Sequence, residues 1–96
     1  MRQEEIREKL GLHRQELEAR GVTSLALFGS AARGEVGTGS DVDLLVEFDR
    51  PLGLFGFLEV KEFLEAVLGC EVDLVTPRAL KRQLRQRILR EAVRAL

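Results

Sequence analysis

Two apolar runs flanking a short polar stretch constrain this chain more than anything else in it. The first, Leu25-Ala26-Leu27-Phe28, stops at Gly29-Ser30. The second, Leu44-Leu45-Val46, is preceded by Ser40-Asp41-Val42-Asp43. A short apolar run bounded by turn residues reads as a buried strand, and a glycine beside a serine ends it. Val22–Phe28 is therefore expected as the first strand and residues 41–48 as the second. Between them, Ala31-Ala32-Arg33-Gly34 has room for about one helical turn, and Gly37-Thr38-Gly39 is turn material. Side chains alternate along a strand. Asp41 and Asp43 therefore share one face, and Val42, Leu44 and Val46 the other.

Two carboxylates on one face at the head of an apolar strand have an ordinary explanation, an acidic strand end turned to water. They also suit a divalent cation. Mg²⁺ takes oxygen ligands and is commonly held by one or two carboxylates together with substrate phosphates. The Gly29-Ser30 turn supplies the complement. A turn that leads into a helix offers backbone N–H groups and partial positive charge to a phosphate. Glycine lets the phosphate approach closely, and the Ser30 hydroxyl can cap the turn or donate to a phosphate oxygen.

Gly29-Ser30, Arg33-Gly34 and Ser40-Asp41-Val42-Asp43-Leu44 together resemble the signature of the DNA polymerase β-like nucleotidyltransferase superfamily. The short chain is similar to its minimal nucleotidyltransferase (MNT) branch, often the antitoxin partner of a HEPN-domain ribonuclease. The resemblance covers most of the chain, because a third acidic strand at residues 70–76, carrying Asp73, lies where that family has one. No Gly-Lys-Ser/Thr follows, so this is not a Walker A loop.

The resemblance implies an α/β (α+β) nucleotidyltransferase fold in the order α-β-α-β-α-β-α. Its sheet would be small, mixed and three-stranded, in order 1-2-3, backed by helices. Asp73 would then stand beside Asp41 and Asp43, forming a three-carboxylate cluster facing Gly29-Ser30. The cluster would hold Mg²⁺, or Mn²⁺, and ATP would lay its phosphates against the glycine–serine turn. Arg33 would neutralise phosphate charge or tie the loop to a carboxylate, and Ser40 would shape the turn. The implied reaction is AMP transfer from ATP to a hydroxyl of a partner protein, a HEPN toxin. Two other readings stay open: a catalytically weak antitoxin that inhibits by covering its partner, and transfer to a small molecule or RNA.

Composition narrows the remaining choices. Ninety-six residues suit one domain, residues 1–96, with a single core. No stretch approaches a membrane span, and the charged N-terminus lacks an apolar leader, so a soluble cytoplasmic protein is expected. One cysteine and one histidine, Cys70 and His13, rule out an internal disulfide and multi-histidine zinc chemistry. Charge is unevenly spread: residues 1–77 balance to −7 and residues 78–96 to +6. That basic end suits a solvated helix face, an acidic partner or RNA. With no Trp or Tyr for base stacking, nucleic acid is not expected as a partner of the isolated domain. Oligomeric state stays open.

Helical spacing predicts helices over residues 3–20 and 54–68, ended by Gly21 and Gly69, with the second helix apolar enough to be covered on two sides. A last helix is expected from Pro77 to the chain end, because Leu80, Leu84, Ile88, Ala92 and Leu96 recur every four residues. Most of the five phenylalanines read as core.

Overall fold

The computed structural model describes residues 2–29, 32 and 42–96. Among these, the elements are α1 (Gln3–Leu12), α2 (Arg14–Ala19), β1 (Val22–Phe28), β2 (Val42–Phe48), α3 (Gly53–Leu68), β3 (Val72–Val75), a 3-10 turn (Pro77–Ala79), α4 (Arg82–Glu91) and β4 (Val93–Arg94). The strands form one mixed sheet in the order β3-β2-β1-β4. β1 runs antiparallel to β2, β2 parallel to β3, and β4 antiparallel to β1. The expected order 1-2-3 stands, with one short strand added outside β1.

Alternation assigns the two faces of the sheet. Leu25 and Leu27, Val42, Leu44 and Val46, and Val72 and Leu74 are buried on one face. Ile6 and Leu10 of α1, Leu17 of α2, and Val60, Leu64 and Leu68 of α3 complete that core. Each fully buried leucine contributes about 1.5–3 kcal/mol relative to exposure, so this layer carries most of the fold. Val22 and Leu25 are three apart yet both buried, which a regular strand forbids. The pairing shifts by one residue between Val22 and Ser24. This irregularity changes the phase of the alternation and returns both side chains to the core.

Three expectations need correction. The first helix is two: at His13 the backbone turns to φ −111°, ψ 20°. The His13 ring, through Nδ1, is hydrogen-bonded to the Glu16 carboxylate at 2.9 Å and meets Phe63 edge-on. The last helix is shorter at both ends. The 3-10 turn and an extended Leu80 and Lys81 precede it, and Ala92 is already extended. The final residues instead complete the sheet: the N–H groups of Ala95 and Leu96 donate to the Leu25 carbonyl at 2.8 and 3.1 Å. Backbone groups of β1 that would face water are satisfied this way, and Ala95 and Leu96 are buried with them.

The third correction concerns α3, which is covered on one side only. Leu54, Phe55 and Leu58 are exposed, Phe55 at 86%. None of the five phenylalanines is fully buried, and most pack at the core margin. The short helix and turn expected over residues 31–40 fall outside the described residues, except Ala32.

Candidate active site

The topology gathers one end of three strands. An antiparallel β1 brings its C-terminal end to the N-terminal end of β2, and a parallel β3 sets its own N-terminal end alongside. Phe28 pairs with Asp43, and Asp43 with Asp73. Register neighbours share a face. Phe28, Asp43 and Asp73 therefore lie in a row across the sheet end, and Gly29, the next residue after Phe28, lies against Asp43. The two aspartates are on the face opposite the hydrophobic core, with Asp43 partly buried and Asp73 exposed.

Gly29 has a reason beyond ending a strand. Its φ is +63°, the left-handed region where a side chain is strained. A Cβ built there would collide with Oδ2 of Asp43 and stand 3.4 Å from its Cγ. The Asp43 carboxylate thus occupies the space that glycine leaves empty, against the backbone where β1 ends. The glycine serves the carboxylate directly, a role that reading it only as a phosphate turn does not include.

Of the residues expected from sequence, the structure places Gly29, Asp43 and Asp73 together. Ser30, Arg33, Ser40 and Asp41 lie outside the described residues. Among the described residues no set of three His, Cys, Asp and Glu side chains gathers to hold a metal. Asp43 and Asp73 remain as a pair of hard oxygen donors opposite each other on adjacent strands, whose backbones lie about 4.8 Å apart. Carboxylate oxygens suit Mg²⁺ or Mn²⁺ and would not select a thiophilic metal.

Two further residues bear on the site, and the sequence offered little sign of either. The Gln3 side-chain amide donates to the Ala32 carbonyl at 2.7 Å, tying α1 to the segment after Gly29. Oε2 of Glu65 accepts the Val72 N–H at 3.0 Å and Nζ of Lys61 at 3.2 Å. A cleft of about 690 Å³ lined by Lys61, Glu65, Cys70, Glu71, Val72 and Asp73 runs beside them. The Glu65–Lys61 pair is an i, i+4 neighbour on α3, visible as spacing. Its backbone target seven residues on is not.

The Val72 N–H, and then Lys61, hold the Glu65 carboxyl below its ordinary value of 4.5. A depressed folded pKa adds stability that is complete above the unfolded value and lost as pH falls through the folded one. Thermal melts followed downward from neutral pH should therefore show an acid-side loss to which Glu65 contributes. Glu65→Gln keeps the acceptor and cannot titrate, so its melting temperature should fall less steeply over that range. An identical acid limb in both proteins would contradict the assignment.

Comparison with known proteins places the chain among relatives. Residues 8–96 match the family model described as "Nucleotidyltransferase domain". Protein adenylyltransferase MntA of Thermococcus cleftensis is 46% identical over 91 residues, covering 94% of this chain and 92% of that protein. A solved structure of a candidate minimal nucleotidyltransferase superposes with a TM-score of 0.83 at 38% identity, covering 97% of this chain and 95% of that one. A structure of a tri-AMPylated Shewanella oneidensis HEPN toxin in complex with MNT antitoxin matches with a TM-score of 0.67. At 22% identity, over 98% of this chain and 71% of that one, it shows a shared fold. Among the described residues no helix is long and apolar enough to cross a membrane.

Proposed function

The chain belongs to the nucleotidyltransferase domain family, and from that premise we propose that it transfers AMP from ATP to a hydroxyl of a partner protein. The partner in this reading is a HEPN toxin that the chain neutralises as a cytoplasmic antitoxin. The observation that carries the proposal is the near full-length 46% identity to a protein adenylyltransferase. The pairing of Asp43 with Asp73, and the Asp43 carboxylate against Gly29, support it with chemistry.

In this mechanism Asp43 and Asp73, together with Asp41, would hold Mg²⁺ or Mn²⁺. A cation held there would supply positive charge to the attacking and leaving oxygens of an in-line displacement. The Gly29 backbone, with Ser30, receives the nucleotide phosphates. Arg33 offsets their charge, and Ser40 shapes the turn that presents Asp41. The acceptor oxygen bonds to the α-phosphorus as the bond to the bridging oxygen breaks. Pyrophosphate leaves with that electron pair, and the hydroxyl proton passes to solvent. The chain itself contains no tyrosine, so a tyrosine acceptor must come from the partner. An added phosphoryl group on the toxin brings negative charge and bulk near its RNA-binding surface and repels RNA phosphates.

The test mixes this protein with ATP, Mg²⁺ and the product of the adjacent gene, and measures intact mass. One or more additions of AMP mass to the partner are expected, lost in Asp41→Ala, Asp43→Ala and Asp73→Ala and weakened in Ser30→Ala. Inhibition of the partner at unchanged mass, equally by the aspartate variants, would replace transfer with inhibition by covering.

A further inference from the structure

Glu65 lies on α3, on the far side of β3 from Asp43, and no role in the proposed reaction requires it. Its contacts nonetheless converge on the peptide just before Asp73. The Val42 N–H donates to the Glu71 carbonyl at 3.0 Å. In a trans peptide the C=O and the following N–H point in opposite directions. The Val72 N–H therefore points away from β2, toward the edge of the sheet, where among the described residues β3 has no neighbouring strand. An edge N–H is normally left to water or to another chain. Here the Glu65 carboxylate takes it at 3.0 Å, held in place by Lys61 one turn earlier in α3.

The peptide linking Glu71 to Val72 is thus pinned on both sides. One hydrogen bond ties it to Val42, the residue before Asp43. The other ties it to Glu65, and the next residue in β3 is Asp73. The chain reaches this point through Gly69, whose left-handed backbone (φ +72°) and N–H bond to the Glu65 carbonyl at 2.8 Å close α3. Both ends of the α3–β3 connection are therefore referred to Glu65, by its carbonyl and by its carboxylate. β3 is only four residues long, so its own ladder offers few other restraints on where Asp73 stands.

We propose that Glu65 is a positioning residue: by holding the Val72 N–H it sets the β3 edge so that Asp73 and Asp43 present their carboxylates to one cation. The inference rests on reading Asp73 as a metal ligand. The work is done by reach and hydrogen bonding, not by negative charge beside the cation. Two substitutions separate those causes. Glu65→Gln keeps the length and the accepting oxygen and loses the charge. Glu65→Asp keeps the charge and loses one methylene of reach.

The experiment titrates Mn²⁺ into the nucleotide-free protein by calorimetry and measures AMP transfer in parallel. Removing a group that orients a ligand costs about 10–100-fold in metal affinity. Glu65→Asp and Glu65→Ala should weaken Mn²⁺ binding by ~10-fold or more. Glu65→Gln should stay within about 3-fold of the parent, well inside that range. The turnover number should fall in the same order with the KM for ATP unchanged. In an Asp73→Asn background, Glu65→Ala should cause no further loss of affinity. Retention by Asp with loss by Gln would assign the effect to charge and overturn the proposal, as would equal Mn²⁺ affinity in all variants. If Asp73→Asn alone binds Mn²⁺ like the parent, the reading of Asp73 as a ligand fails instead, and the positioning role falls with it. The Gln and Asp variants carry the test even if alanine unfolds the strand.

Discussion

Asp73→Asn should cut AMP transfer by at least ~10²-fold, the scale on which losing one preorganised electrostatic group is felt, while melting no lower than the parent protein without metal. The two halves of this expectation have one cause. Asp43 and Asp73 are register partners on adjacent strands, and like charges directly opposite each other destabilise a sheet. Asparagine is nearly isosteric and keeps β3 intact, so it removes repulsion without removing packing. Val72 and Leu74, which anchor the strand in the core, point the other way. The cross-strand pair is worth a fraction of a kcal/mol, and a rise of roughly 1–4 °C in melting temperature should follow. Mg²⁺ or Mn²⁺ should raise the melting temperature of the parent, where it relieves the same repulsion, and do less for Asp73→Asn. Differential scanning fluorimetry with and without cation, beside a transfer assay, reads both effects. A variant that keeps full transfer would remove Asp73 from the site. One that melts well below the parent would show that the carboxylate is structural.

The strands that carry this site were legible because their signals are local and redundant. Val22–Phe28 matches the expected strand end for end, since an apolar run meets a glycine that the backbone needs at φ +63°. Val42–Phe48 puts Val42, Leu44 and Val46 in the core and leaves Asp43 out of it, although Leu45 on the Asp43 face is buried too. Gly69 ended α3 as expected, again at positive φ. The misses share a different character. The break at His13 is invisible to periodicity because Ile6 and Leu10 before it, and Leu17 after it, are all buried on the same core. β4 is only two residues long, and it and the residues after it are held by backbone bonds to β1. A stripe of leucines at intervals of four therefore ran on as helix where backbone pairing had taken over. Phe55 and Leu54 satisfy the helical pattern and are still exposed, because a pattern cannot tell which faces find a partner. Within the site, residue types showed which side chains suit a cation. They could not show that Asp43 fills the space above Gly29, or that Glu65 reaches the peptide before Asp73, because both contacts exist only once strands and helix are assembled.

The contact between Gly29 and Asp43 sets the other large effect. Gly29→Ala should lose at least ~10²-fold in transfer, comparable to losing the Asp43 carboxylate itself, although it adds one methyl group. Two costs are separable here. The first is backbone strain: an L-residue in the left-handed region costs roughly 1–2 kcal/mol. In a domain of this size each kcal/mol lowers the melting temperature by about 4–8 °C. The second is steric, because the new Cβ would collide with Oδ2 of Asp43. The backbone cannot easily yield, since Phe28 immediately before is locked to Asp43 across the β1–β2 ladder. The carboxylate must then rotate away, and the proposed cation site would lose a ligand. Gly53→Ala supplies the control. Gly53 also has positive φ, at +68°, but a Cβ there meets nothing within 4 Å. It opens α3, far along the chain from the carboxylate row. Both variants should lose similar melting temperature, and only Gly29→Ala should lose transfer and Mn²⁺ affinity. Equal transfer by the two alanine variants would mean that Asp43 tolerates the displaced position, and that its placement against Gly29 does not matter to the chemistry.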